Sequence, residues 1–360
     1  MKDKWNFSDY KGALSRVAFK SENSLGRRFH NDPDSIYYFL DPFLLDTEKI
    51  RLSKSYRRLA DKRQVFPPNL QSNVRNRLIH TNDVVDLALI FSNILGLNSN
   101  LAEAIAYGHD IGHTPFGHLG ERLIQNLSGR NFAHHVMSVI VAQKVERKGK
   151  GLNLTYETLE GILNHSRGAG EMKVNNNVSE EATLVMYADK IAYTFSDFND
   201  AIRVGYLKEK SLPKIIKYFG ENQRGRIAKT SLEFIKESSE EGKVSFSKSE
   251  CSRRFAELRS WMYDNVYHTL DSESSRIETY NRLKEVASFL KDYFNGKIDP
   301  YFAISCMTDG EANDMFKQIN NGGVNHLDYG FIEIVNNFIG KNLDITDVDL
   351  NKSDFVKIEN

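Results

Sequence analysis

The spacing of its apolar residues constrains this chain's fold more than any other feature. From Asn82 onward, Val84, Leu87, Ala88, Phe91, Ile94 and Leu95 recur at steps of three and four, the period of an amphipathic helix, and Gly96 predicts its end. Asn100 followed by Glu103 has the form of a capping box with Asn as cap, which predicts a second helix from Leu101 into Gly108. Thr155 predicts the cap of a helix through Leu163, and Ser179 with Glu180 and Glu181 the start of one through Tyr193 to about Phe198. Helix-like pieces follow at 210–219, Ser252–Tyr267 and Ile277–Phe294. Strand-like alternation is weak throughout, and only 7 prolines occur in 360 residues. The expected fold class is therefore all-α.

Length and charge narrow the rest. At roughly 150 residues per domain the chain has room for about two domains, or one large core with appendages. Residues 1–50 are polar and poorly patterned and read as an N-terminal arm, while 51–210 and 211–360 read as a core and a C-terminal helical region packed on it. The Ser/Glu/Lys-rich stretch from Glu237 to Glu250 offers little apolar surface and is expected to be an exposed linker or insertion. The 48 basic residues balance the 48 acidic ones, which argues against a general nucleic-acid binder. Two cysteines, Cys251 and Cys306, build neither a disulfide framework nor a CxxC pair. Neither a signal-like N-terminus nor a stretch approaching the roughly 18 apolar residues of a membrane span is read, so a cytoplasmic protein with no membrane partner is expected.

Six of the ten histidines (His80, His109, His113, His118, His134 and His135) fall between positions 80 and 135. Between the second helix and the next lies HDIGHTPFGHLGE, His109 to Glu121, where three glycines and a proline demand a turn-rich connection. A lone His80 near a helix start, the pair His109 and Asp110 at a helix end, and Asp189 on a later helix form a mixed imidazole and carboxylate set. Such a set suits a first-row divalent ion, or Mg²⁺ with waters completing its shell. The adjacent His109 and Asp110 can share an ion only where the helix relaxes, a freedom expected of Gly108 and Gly112. Taken alone, a His-Asp pair serves equally as a helix cap or the partner of a buried carbonyl.

The surrounding text is more specific. RxxH at Arg77–His80, HDIGHTPFGHLGE, NFAHH at Asn131–His135 and YADKIAY at Tyr187–Tyr193 closely resemble, in order and spacing, the HD-domain deoxynucleoside triphosphate triphosphohydrolases, the dGTPase-like family. SKSYRRLADKRQVFP at Ser53–Pro67, LTYETLEGILNHS at Leu154–Ser166 and CMTD at Cys306–Asp309 resemble the same family. The resemblance covers roughly residues 50 to 310. It implies an HD-domain helical core at 51–210, in which His80, His109, Asp110 and Asp189 hold one divalent metal. Mg²⁺ or Mn²⁺ is the expected ion, with Fe²⁺, Co²⁺ and Ni²⁺ as further candidates. It also implies that His118, Glu121 and His134 surround the α-phosphate, that Arg77, Lys190 and Tyr193 contact the triphosphate, and that Gln64 contacts the sugar. Asp197 shares a helix face with Asp189 and Tyr193 and joins the substrate-binding set. His113 is left out as a loop-ordering histidine, and His165 is given no chemistry. The sequence departs from the family pattern at His135, where asparagine is more usual, and at Gly310, where a larger polar residue is common.

The implied activity is metal-dependent hydrolysis of dGTP or several dNTPs to deoxynucleoside and inorganic triphosphate. The alternatives are an HD-type 5′-nucleotidase or phosphodiesterase, and a non-catalytic nucleotide or single-stranded nucleic-acid-binding module, which the full ligand set disfavours. The implied partners are a dNTP substrate, a nucleotide effector and further copies of the chain.

Overall fold

The computed structural model describes residues 6–29, 39–66, 73–166, 177–208, 212–270, 273–322 and 328–357. No strand occurs among them, and their only β pairings are the isolated bridges Arg27–Val356 and Arg63–Asn76, so the all-α expectation holds. The helices that build the site are α1 (Pro42–Arg51), α2 (Lys54–Arg58), α3 (Arg77–Leu95), α4 (Ser99–Gly108), α5 (Gly117–Ser128), α6 (His134–Ile140), α7 (Tyr156–Asn164) and α8 (Glu180–Arg203).

Helix α3 starts five residues earlier than periodicity suggests, because the Asn76 side chain caps it by accepting from Ile79 N. It ends as expected at Gly96, whose φ of 77° is the left-handed conformation that favours glycine. Asn98, not Asn100, caps α4, accepting from Leu101 N. Thr155 and Ser179 cap α7 and α8 as expected, and α8 runs on to Arg203. Beyond α6 the chain widens into a π-helical turn over Val141–Val145.

Two further expectations are overturned. Helix α3 is long and apolar enough, by length and composition, to cross a membrane. It packs against α4 and α8 and carries the buried Arg77 and His80, so its apolar character serves this core. The stretch from Glu237 to Glu250 is no exposed linker. Its first residues belong to the helix Gln223–Glu241, and the Glu237 carboxylate accepts from Ser247 N, Lys248 N and Ser249 N. Val244 and Phe246 are fully buried, so two apolar side chains inside a polar run anchor the turn.

The apolar interior divides into two clusters. One joins α3, α4 and α8 to the helices Gln223–Glu241 and Glu250–Met262 through Phe91, Ile105, Phe195, Phe234 and Phe255. The other joins α5, α6 and α7 to the C-terminal helices through Ile124, Ile140, Ile162, Leu290 and Phe302. The connection from α4 to α5 crosses between them, since Ala106 belongs to the first and Ile111 and Phe116 to the second. Its polar side chains therefore meet at the seam of two cores.

Candidate functional site

Helices α3 to α8 and the turn between α4 and α5 meet at this seam. His109 is the C-cap of α4, and its Nδ1 lies 2.7 Å from Ala106 O, which turns Nε2 inward. That Nε2 is buried, lacks a hydrogen-bond partner and lies 3.3 Å from Asp110 Oδ2. From α3, His80 Nε2 lies 3.0 Å from Asp189 Oδ1 on α8 and 4.0 Å from Asp110 Oδ2. Donor atoms of His80, His109 and Asp110 all lie within 4.8 Å of one another. An orphaned imidazole nitrogen beside two carboxylates in a buried site is a donor set that fits a divalent ion.

Gly108 and Gly112 act differently from expectation. Neither adopts positive φ; both allow close approach. A Cβ on Gly108 would sit 2.3 Å from Ile162 Cδ1, and one on Gly112 would sit 2.2 Å from Ser138 N. With α6 so near, Ser138 Oγ donates to His109 O and accepts from Gly112 N, fixing the turn that presents His109 and Asp110.

A second cluster lies alongside. Glu121 Oε2 is 3.2 Å from His118 Nδ1 and 3.1 Å from His134 Nδ1, and Oε1 accepts from His134 N. The structure brings in His113, which stacks on His134 at 4.7 Å between ring centroids, and whose buried Nε2 has no hydrogen-bond partner. His165, at the end of α7, packs edge-on against His109 at 5.1 Å and tilts against His134 at 5.5 Å, joining the two clusters. Sequence reasoning set both aside; their signal was their place in the HDIGHTPFGHLGE and LNHS segments. His118 differs from its neighbours in exposure, with 62% of its side chain accessible. His135 is partly buried beside them.

The electrostatics separate the two clusters. Burial alone would pull the His109 ring down, but the Asp110 carboxylate prevails and holds it at about 9. Burial would raise Asp110, yet Arg77 and His109 keep its carboxyl well below the usual range. Asp189 is held at about 2 because the His80 hydrogen bond outweighs burial. Glu121 is likewise depressed against burial by His134 and His118, while Glu121 raises His134 against its own burial. Burial and the neighbouring His134 push His135 down to about 4; burial and His109 push His165 down to about 3.

The remaining expected residues have partners of their own or lie buried. Arg77 turns its guanidinium onto Asp110 Oδ2 and Gln64 O. Gln64 Oε1 is buried without a hydrogen-bond partner, and Lys190 is buried on α8. The Tyr193 hydroxyl accepts from Arg259 Nη2 at 3.0 Å, and Asp197 Oδ2 accepts from the Tyr267 hydroxyl at 2.9 Å. Burial pushes the Asp197 carboxyl up to about 8, against that hydrogen bond. Arg259 and Tyr267 come from the helix Glu250–Met262 and the turn after it, where no motif marks them.

The HD domain family matches residues 77–194, which span α3 to α8. A deoxyguanosinetriphosphate triphosphohydrolase-like protein of Clostridium perfringens (strain SM101 / Type A) is 38% identical over 305 residues, 82% of this chain and 86% of that protein. The chain belongs to the deoxyguanosinetriphosphate triphosphohydrolase-like family. Proteins of the same name from Caldanaerobacter subterraneus subsp. tengcongensis and Clostridium tetani are each 38% identical, covering 79% and 69% of this chain and 80% and 72% of their own lengths. Like other members of this triphosphohydrolase-like family the chain is a phosphohydrolase, and its His/Asp cluster is able to hold the divalent metal that HD domains bind. At Gly310 a Cβ would lie 2.5 Å from Asp61 Oδ2, the tip of an exposed side chain.

Proposed function

We propose that the protein is a deoxynucleoside triphosphate triphosphohydrolase, releasing a deoxynucleoside and inorganic triphosphate from dGTP or several dNTPs. The observation that carries this reading is the adjacency of two sites: the His80, His109, Asp110 and Asp189 donor set, and the exposed His118 that Glu121 orients. His80, His109, Asp110 and Asp189 would hold a divalent ion, which would supply positive charge to the phosphates and lower the pKa of a water.

The chain's own groups supply the rest. Water attacks the α-phosphorus, the bond to the 5′ oxygen breaks, and that oxygen takes a proton from His118, while the proton given up by the attacking water passes to solvent, from which His118 is reprotonated. Glu121 accepts from His118 Nδ1, which leaves the other ring nitrogen to carry the transferred proton. His134, paired with the same carboxylate, adds positive charge behind it. Arg77 and Lys190 offset the negative charge of the phosphates, since phosphoryl transfer depends chiefly on positioning and charge stabilisation. Tyr193 sits beside the phosphates, while Gln64 and a proton-bearing Asp197 offer hydrogen bonds to the sugar.

Incubating the purified protein with each dNTP and Mg²⁺ or Mn²⁺, then resolving the products, tests the reading. Deoxynucleoside and triphosphate in equal amounts are expected. Release of phosphate alone would replace it with a nucleotidase.

A further inference from the structure

The HDIGHTPFGHLGE turn is held from far along the chain. Phe116, the residue from which α5 departs, has φ of 66° and is followed by Gly117 at 62°. A left-handed phenylalanine is a strained backbone that persists only where its surroundings over-determine it. Here they do. Asp309 Oδ1 accepts from Phe116 N at 2.9 Å, and Asp309 Oδ2 accepts from Arg63 Nε at 2.8 Å. The Arg63 guanidinium in turn lies over the Phe116 ring, 5.0 Å from its centroid.

The frame around Asp309 is firm. Asp309 opens the helix Asp309–Asn320, where the positive end of the helix favours a carboxylate, and Thr308 with Glu311 forms a reciprocal capping box just before it. Arg58 ties Glu311 and Cys306 O to α2. By contrast, the exposed His118 is the second residue of α5, and among the described residues its side chain hydrogen-bonds Glu121, one turn further along the same helix. Where His118 and Glu121 stand relative to His134 on α6 is thus set by how α5 leaves Phe116.

We propose that Asp309 is a positioning residue: by holding the left-handed turn at Phe116, it aims the start of α5 so that His118 and Glu121 meet His134 and the substrate. This rests on the proton-donor role of His118 in the proposed function. Among the described residues the Asp309 carboxylate bonds Phe116 N and Arg63 Nε, and none of the proposed metal ligands.

The test is a double-mutant cycle in the full-length protein. Asp309→Ala is expected to keep stoichiometric Mn²⁺ and a KM within about threefold, while kcat falls about 10- to 100-fold, the scale of a misplacement near 1 Å. Asp309→Asn, which keeps an oxygen acceptor for Phe116 N, is expected to recover most of that loss. In a His118→Ala background, Asp309→Ala is expected to cost little more, since coupled residues do not add. A full additional loss in that background would show a merely structural role and overturn the proposal, as would unchanged kcat or loss of metal in Asp309→Ala. Should the alanine variant not fold, Asp309→Ser, too short to reach Phe116, takes its place. A crystal structure of the variant separates this proposal from the underlying reading: Phe116 is expected to leave the left-handed region and Glu121 to lose His134. An unchanged turn defeats the positioning role, whereas a wild-type protein that releases no triphosphate defeats the proposed activity instead.

Discussion

Arg77 Nη1 lies 2.5 Å from Asp110 Oδ2, with the two side chains 3% and 4% exposed. The guanidinium neutralises a carboxylate that a divalent ion is proposed to share. Removing one partner of a buried pair typically costs about 3 to 5 kcal/mol, because the other charge is left uncompensated. Arg77→Met is therefore expected to lose about 3 kcal/mol of stability in EDTA and to regain most of it in excess Mn²⁺, which compensates Asp110 and binds only the folded state. Urea unfolding with and without the ion measures this. An equal loss in both conditions would show that Asp110 does not face the ion.

Metal content is the next expectation. His109→Ala and Asp110→Asn are each expected to lose bound metal and turnover while keeping the helical circular dichroism signal, because the ligands sit at the end of α4 and not within its apolar stripe. Stoichiometric metal with full turnover in either variant would remove that residue from the ligand set.

His118→Ala is expected to retain metal and to lose turnover by about 10²- to 10⁴-fold, the usual scale for removing a proton-transfer group. Its exposure makes a folding defect a poor explanation for such a loss. Loss of the ion in this variant would instead make His118 a ligand.

The pair of Glu121 and His134 carries a pH signature. His134 is raised above its ordinary 6.5, so its stabilising contribution is complete below 6.5 and is lost as pH rises through the higher folded value. Glu121 is held below its ordinary 4.5, so its contribution is complete above 4.5 and is lost as pH falls through the lower folded value. Both are complete between 4.5 and 6.5. Glu121→Gln is expected to cost about 1.5 to 3 kcal/mol near pH 5.5, the range for a charged hydrogen bond. That cost should shrink as pH is raised past neutrality. A constant cost from pH 5 to 9 would mean that His134 stays neutral.

Much of this architecture was legible in residue order, for identifiable reasons. Helices α3, α7 and α8 announce themselves by period and cap, whereas the start of α4 was misread because Asn98 and Asn100 both have cap chemistry and only Asn98 reaches a backbone N–H. The expected set His80, His109, Asp110 and Asp189 came from short motifs that mark the start of α3 and the end of α4, while Asp189 lies inside α8 and was marked by the YADKIAY segment. His113 and His165 were passed over because stacking between elements leaves no local trace. Arg259 and Tyr267 were missed because a wall contributed by a distant helix has no motif of its own. The buried turn after Glu237 was hidden by composition, since Val244 and Phe246 are too few to register as a period.

The number of ions is the last expectation, and His135 raises it. A second ion needs a further group of free donors beside the first, about 3.5 to 4 Å away. The group His113, His118, Glu121 and His134 has the residue types, and its donor atoms lie within 4.8 Å of one another. Its carboxylate is already committed: Glu121 serves both His118 and His134 through Oε2, and His134 N through Oε1. Asp110, the natural bridge, is bonded to Arg77. His135 stands edge-on to His134 at 5.5 Å and to His165 at 6.4 Å. Among the described residues no group of candidate ligands includes it, the third such group being Asp110, His134 and His165, which shares Asp110 and His134 with the other two. One ion is therefore expected, at His80, His109, Asp110 and Asp189, with His135 packed beside the site. Anomalous scattering from Mn²⁺-soaked crystals decides it: a second full-occupancy peak, at His135 or within the Glu121 cluster, would overturn the single-ion reading and the proton-donor role of His118 with it.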